Sequence, residues 1–464
     1  LEIRINKIGK VLFDIEPANS IISAVKKIGK NMKSNSYDKF YGITTFGESH
    51  GKVIGVVIED VKPGIKFPLN KIQDALHKRR PGKGEYSSAR SEEDEIQVLS
   101  GMLDGVTTGM PICLVVYNKD AESKDYEHLK DLFRPGHADY SYFKKFKIYD
   151  HRGGGRASGR ETISRVAAAG LVEDITDGIN INIYPVKIGK FEISEFDASI
   201  QNELSWHDRS NYNDLIEYLD KIKEEENSIG GIVEVRITSI PAGLGDPVFE
   251  KLDANLAKAI LSIGAVKGIE FGDGFKLAAL TGSKANDQMN KNGFISNHQG
   301  GILGGISTGN DLIFRFAVKP TSSINKLQKT VTISNEEVEF KSQGRHDTCI
   351  IPRIIPVAEA MIKLVLADAL SYQKLIANDT LQLSDYREAI DKIDEDILTA
   401  LCRRQKISEL IGKFKQKNNL QIENKDREKE LLSQLEQKAK LWNIDGSVVL
   451  KIWQIIISES KNKQ

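Results

Sequence analysis

Cysteine is scarce in this chain: Cys113, Cys349 and Cys402 are the three in 464 residues. An odd, scattered set without a CxxC pair excludes a disulfide framework and a structural zinc site, and it favours a reduced, cytoplasmic setting. No run of about 18 apolar residues occurs, so no membrane-spanning helix is expected. Neither sign of charge dominates, because Lys+Arg and Asp+Glu number 65 each. A global basic field for nucleic acid or an anionic membrane is therefore missing, and any anion site must be local. The common nucleotide cradles are missing too, since GxxxxGK[ST] does not occur and a GxGxxG begun at Gly153 fails at Ser158. The opening residues lack the cationic start, apolar middle and small-residue cleavage site of a secretory signal. Residues 1–31, which precede Met32, are read as an extension of unknown role; a lysine-rich docking or targeting segment is the alternative.

The length suggests about two to three domains at roughly 150 residues each. Hydrophobic residues at 40% and charged residues at 28% fit an ordinary globular chain with a sizeable core. Up to about residue 350, β-branched runs such as "KVIGVVIEDV" and "GGIVEVRITSI" alternate with helical spacing, as in "ETISRVAAAGLVEDIT", and no internal repeat is evident. "IIPVAEAMIKLVLADALSYQKLI" predicts a long buried helix over 354–376. Composition then changes: proline is absent from 385 to 464, and three helical patterns follow one another. The expected division is an extension (1–31), a mixed α and β domain (32–376), a linker (377–384) and an all-α domain (385–464). Asp385 with Glu388 three later has the form of a capping box.

One stretch stands out for its chemistry. In "HRGGGRASGRET" three glycines bare the backbone, Ser158 offers a hydroxyl, Arg156 and Arg160 offer bidentate guanidinium contacts, and the next helix turns its positive end to the same place. A phosphorylated ligand fits best, with a bland glycine-rich turn as the competing reading. Similar chemistry recurs elsewhere: His50 in "TTFGESHGK", His137 in "FRPGHADYSYF", the loop "NHQGGILGGISTGN", Lys319 with three hydroxyls in "AVKPTSSIN", and Arg345, His346 and Asp347 in "SQGRHDTCIIPR". Two histidines in glycine-framed loops beside arginines point to proton transfer on an anionic, phosphorylated substrate.

Taken together and in this order, these motifs resemble chorismate synthase from residue 37 to about 375. The resemblance implies an α+β fold in which helices lie between antiparallel sheets, a β-α-β sandwich. It also implies a 1,4-anti elimination of phosphate from 5-enolpyruvylshikimate 3-phosphate that requires reduced FMN. By the same resemblance, His50 protonates the departing phosphate, His137 stabilises the reduced flavin near its N1, and Asp347 acts with the flavin N5. Flavin contacts fall on Arg156, Ala157, Ser158, Gly304, Lys319, Thr321, Ser322, Ser323 and Arg345; substrate anions fall to Arg79, Arg80 and Arg160. The family usually carries an arginine where "RRPGKGEYSSAR" has Glu85. Either Lys83 or Arg90 substitutes for it, or the loop points elsewhere.

The tail resembles the all-helical chorismate mutases, which rearrange chorismate to prephenate by charge placement alone. The resemblance carries ligand roles to Arg387, Arg404, Lys415, Arg427, Glu428, Ser460 and Gln464, with Lys415 and Gln464 near the ether oxygen. Spacing adds its own argument. Arg404 interrupts the apolar stripe Ile390, Ile393, Ile397, Leu401, Ile411, Phe414, where a lone guanidinium would be costly without an anion. Arg404 and Lys415 share a helix face about 16 Å apart, and Ser460 and Gln464 share another, whereas Arg387 lies about 26 Å from Arg404 and roughly 100° round the helix. The resemblance resolves that mismatch by implying that Arg387 serves a partner's site in a helix-swapped dimer, within the tetramer expected of the synthase. The whole is read as a bifunctional enzyme; the alternative is a synthase with a non-catalytic regulatory or dimerising tail. Whether flavin is reduced externally or by the protein itself with NADPH stays open.

Overall fold

The computed structural model describes residues 3–5, 11–13, 35–37, 40–81, 84–87, 93–118, 129–342, 346–377, 383–418, 421, 424–441 and 444–462. Lys83, Arg90, Arg345 and Gln464 lie outside them, as does most of the 1–31 extension; Ile3–Ile5 and Val11–Phe13 pair as an antiparallel hairpin. The chain divides into two compact units, one comprising Asn35–Asn378 and the other Leu1–Ser34 with Asp379–Gln464.

The larger unit holds two five-stranded antiparallel sheets. The first runs Ser36–Tyr37, Ile43–Gly47, Val53–Ile58, Ile112–Tyr117, Ile96–Ser100 in spatial order. The second runs Phe191–Glu192, Asn180–Ile188, Gly231–Thr238, Leu312–Val318, Val266–Phe271. Alternation drives both. Along Leu312–Val318 every second side chain, Leu312, Phe314, Phe316 and Val318, is at most 3% exposed, so the strand has one face for the core and one for solvent. Each such burial is worth about 1.5–3 kcal/mol. Between the sheets lie the helices Leu69–Arg79, Thr162–Ala169, Leu252–Leu261 and Ile351–Ala377. Thr162–Ala169 packs on strands of the first sheet, Leu252–Leu261 on the second, and the long helix touches all three others. One continuous apolar core results, with helices between antiparallel sheets as the resemblance implies.

The structure corrects the expectation that nothing repeats. In each sheet four strands follow the same path: two antiparallel neighbours, joined directly in the first sheet and through Phe191–Glu192 and the helix Tyr212–Glu224 in the second, then a helix, a third strand that becomes the edge, a connection that ends in a hairpin, and a fourth strand inserted between second and third. The hairpins superpose in sequence, "GMLDGVTTG" (101–109) on "GILGGISTG" (301–309). Thr107 Oγ1 donates to Lys62 O (2.6 Å) and accepts from Ile65 N (3.0 Å); Ser307 Oγ donates to Pro241 O (2.6 Å) and accepts from Leu244 N (2.9 Å). At the turns Asp104 (φ 49°) and Gly105 correspond to Gly304 (φ 61°) and Gly305. Glycines at both ends and at the turn, and a hydroxyl that fixes two backbone groups, are kept in both copies. A repeat this long and this diluted escapes a search for short periods.

The smaller unit packs three helices, Leu383–Lys417, Lys425–Leu441 and Gly446–Asn462. The first begins two residues ahead of Asp385, so Asp385 lies within the helix and not at its cap.

Candidate active site

His50 sits in the turn between Ile43–Gly47 and Val53–Ile58, and it is 7% exposed. The glycine run folds directly against it. Gly153 has φ 61°, and a Cβ there would stand 2.4 Å from His50 Cδ2 and 2.5 Å from Nε2. Ser49 N donates to Gly155 O (3.4 Å), and Ser49 Oγ donates to Gly153 O (3.3 Å). At Gly153, then, the bare backbone makes room for an imidazole and not for a ligand, which amends the sequence reading of that residue.

The arginines divide by surroundings. Arg156, half-buried, donates to Gly47 O, Asn35 Oδ1 and, at 2.6 Å, to Thr45 Oγ1. Ser158 accepts from Arg160 N at 3.4 Å, Ala157 is exposed and Arg80 is half-buried. Arg160, 6% exposed, donates Nη1 to Asp94 Oδ1 (2.8 Å) and Nε to Asn118 Oδ1 (2.7 Å). Arg79 is 2% exposed and donates to Asp94 Oδ2 (2.9 Å) and Thr162 Oγ1 (3.1 Å). Burial pulls its guanidinium down to about 10, Asp94 opposes this, and the cations of Arg353 and Arg160 add to it. Sealed in this way, Arg79 does not match the expected role of a direct anion holder: the last turn of its helix turns it inward onto a buried carboxylate.

A second group forms where the corresponding loops of the two repeats meet, each following its fourth strand. Lys319 Nζ donates to Gly136 O (3.1 Å) and pairs closely with Ser322, which also donates to Gly136 O (2.9 Å). Ser323 Oγ lies 2.9 Å from His137 Nε2. Arg134 grips Asp139 at 2.7 and 2.8 Å, and its Nη2 stands 3.4 Å from the place a Cβ on Gly154 would take. Named contacts thus run from His50 through the glycine loop and Arg134 to the His137 loop and Lys319. Burial first, then the charges of Arg134, Lys319 and His346, push His137 down from 6.5 to about 4 against the pull of Asp139, so its ring is neutral near pH 7. Burial and Lys267 lower Lys319 as well. Thr321 Oγ1 donates to Asp347 O (2.9 Å), and Asp347, 6% exposed, accepts from Arg353 Nη1 at 2.5 Å. His346 Nε2 lies 3.1 Å from Ser342 Oγ. Gly304, exposed at its hairpin tip, has open space where a Cβ would go.

Glu85 turns away from these groups. It pairs with Lys223 at 3.1 Å, and its N–H donates to Glu203 at 3.0 Å. Sequence reasoning missed Arg353, Asp94 and Asn118. Arg353 lies within the quoted "GRHDTCIIPR" and could have been flagged, whereas Asp94 in "SEEDEI" looks like any solvated acid and only its burial marks it.

In the smaller unit, Arg404 Nη1 pairs closely with Ser460 Oγ and lies 3.4 Å from Ile456 O, joining first and third helices. Burial lowers the Arg404 guanidinium. Glu428 of the second helix pairs with Lys461 at 2.9 Å, next in sequence to Ser460 on the third helix. Lys415 is half-buried; Arg427 is exposed and bonded to Glu430, and Arg387 is exposed on the far part of the first helix.

Comparison with known proteins adds the following. The family model for chorismate synthase matches residues 41–371, and that for chorismate mutase type II matches 386–464. A chorismate synthase of Syntrophus aciditrophicus is 46% identical over 352 residues, 74% of this chain and 99% of that protein. One of Agathobacter rectalis is 47% identical over 349 residues, 73% of this chain and 95% of that protein. A crystal structure of chorismate synthase matches with TM-score 0.56 and 27% identity, covering 77% of this chain and 98% of the other.

Proposed function

This chain belongs to the chorismate synthase family and carries a type II chorismate mutase domain behind it, which makes it a bifunctional enzyme of the shikimate pathway; from that premise we propose how its own residues divide the work. His50, held against Gly153, protonates the phosphate as it departs. Arg160 and Arg80 hold the anions of 5-enolpyruvylshikimate 3-phosphate, and Arg353 keeps the carboxylate of Asp347 oriented for proton handling. In the tail, Arg404, Ser460 and Glu428 bind chorismate, with Lys415 and Gln464 at the ether oxygen.

The donor set fits a flavin phosphate and ring: Lys319, Thr321, Ser322, Ser323 and Arg156 supply cations and hydroxyls, the open Gly304 admits close approach, and the resemblance adds Arg345. Bound reduced FMN supplies the electron-rich partner and proton acceptor of the elimination. His137, neutral beforehand, donates a hydrogen bond to the anionic ring or takes a proton as that anion offsets its cationic neighbours. External reductant and NADPH used by the protein itself remain the two sources of electrons.

An oligomer is favoured by the tail's first helix, where Ile390, Ile393, Ile397 and Phe414 are 51–62% exposed on one stripe. Covering that stripe with a second copy would place Arg387 in the partner's site, and the synthase units would complete a tetramer. No described helix is long and apolar enough to cross a membrane, and the cysteine pattern favours the cytoplasm.

The observation that carries the two-site reading is that each unit joins its own expected ligand side chains, Ser323 with His137 in the larger and Arg404 with Ser460 in the smaller. An anaerobic assay with reduced FMN and 5-enolpyruvylshikimate 3-phosphate, following phosphate, chorismate and prephenate together, tests it. His50→Ala is expected to stop phosphate release and spare rearrangement of added chorismate, and Arg404→Ala to do the reverse. Equal loss of both activities in both variants would overturn it.

A further inference from the structure

Asp94 and Asn118 both bind Arg160, and neither has yet been given a role. Asp94 has a fully buried side chain and a left-handed backbone (φ 46°), and its two oxygens take one guanidinium each, Arg79 at 2.9 Å and Arg160 at 2.8 Å. Gln73 fixes its backbone in turn, donating to Asp94 O (3.1 Å) and accepting from Ile96 N (3.2 Å). Asn118, at the end of Ile112–Tyr117, uses both ends of its amide. Its Oδ1 accepts from Arg160 Nε at 2.7 Å, while its Nδ2 donates to Glu48 O (3.1 Å) and Gly51 O (2.8 Å), the two shoulders of the turn that carries His50. A guanidinium is planar and rigid, so capturing Nε and Nη1 from two directions fixes the plane of Arg160. A carboxamide can accept from an arginine and donate to two carbonyls at once.

We propose that Asp94 and Asn118 form a positioning bracket that fixes Arg160, the substrate-anion holder, in register with the His50 turn, so that the phosphate is bound and protonated in one geometry. This rests on the proposed role of Arg160. Arg79 completes the bracket from behind: it balances the second oxygen of Asp94 and never reaches the ligand.

The test compares Asp94→Asn, Asn118→Ala, Asn118→Asp and Arg160→Ala in the full-length protein, by anaerobic phosphate release with reduced FMN. Rearrangement of added chorismate by the same samples reports on the helical unit, and thermal melting with reduced-FMN affinity reports on folding of the larger unit. Asn118→Ala and Asp94→Asn are expected to raise the KM for 5-enolpyruvylshikimate 3-phosphate about 10- to 100-fold, the weight of a hydrogen bond to a charged group, with reduced-FMN affinity unchanged. Asn118→Asp keeps the acceptor for Arg160 and loses the donor to the turn, so KM should stay near that of the wild type while kcat falls. If Asp94→Asn does not fold, the Asn118 pair decides alone. The bracket is refuted if Arg160→Ala raises KM and Asn118→Ala does not, or if Asn118→Ala lowers only the thermal midpoint. An Arg160→Ala variant with unchanged KM overturns the anion-holding role itself, and the bracket with it.

Discussion

The two repeats of the larger unit share a path and a turn but not a chemistry. Thr107 and Ser307 make the same pair of backbone bonds to within 0.1 Å. Yet the tip of the first hairpin is Asp104 and that of the second Gly304, and after the fourth strand one repeat continues into Arg134 and His137, the other into Lys319 and Ser323. Their outward faces differ as well. On the second sheet Glu234 is bound by Tyr184 (2.7 Å) and Arg315 (2.7 Å), whereas the corresponding face of the first carries Phe46, Val53, Val57 and Cys113. The frame was therefore duplicated where backbone bonds demand it, and loops with no such demand were free to acquire different functional groups. The candidate active site lies where those unlike loops meet.

Breaking that meeting point should have the largest effect. Gly153→Ala thrusts a Cβ into His50, and phosphate release should fall by about 10²–10⁴-fold, the usual share of a general acid, while rearrangement of added chorismate persists; stopped assays on both substrates read this directly. Next comes exchange of the hairpin tips. Gly304→Asp meets open space and should leave the fold intact, yet weaken reduced-FMN binding about tenfold or more through like charge, as titration under anaerobic conditions would show.

Thr107→Ala and Ser307→Ala should each cost about 1–3 kcal/mol by stranding a buried N–H and carbonyl. Equal losses in urea unfolding would sharpen the equivalence of the repeats, and a loss confined to one would break it. The folded state holds His137 neutral, with its pKa below the unfolded value of 6.5. Its contribution is therefore complete above pH 6.5 and is lost as pH falls towards about 4, because the unfolded chain then binds the extra proton. The urea midpoint should drop between pH 7 and 5 by more in the wild type than in His137→Asn. Smallest is Asp104→Gly, which relieves a left-handed residue worth about 1–2 kcal/mol but gives back part of it as unfolded-state entropy; thermal melting should move up slightly.

Much of the candidate site was legible in linear order. GESHG, RPGHAD, GGGRASGRET, KPTSS and GRHD are short runs in which glycine, histidine and arginine stand together, and such runs have few structural uses. The mixed α and β character was legible in the β-branched runs that became Val53–Ile58 and Gly231–Thr238 and in the long apolar helix before 377, while the sandwich was implied by the resemblance. What was not legible depended on partners distant in sequence. Arg79 looks like a ligand arginine until Asp94 is found against it, and Asn118 has no local signal at all. The repeat hid because its shared residues number only a handful in each hairpin.

The sequence by itself determined the kind of chemistry, since guanidinium, imidazole and bare backbone in one chain can serve little besides small anions, and it determined that a helical unit follows a mixed one. That Arg79 and Arg160 share one buried carboxylate was decided only in three dimensions. A cation's role depends on the charge that reaches it first, and at Asp94 that charge comes from a residue whose burial no local pattern announces.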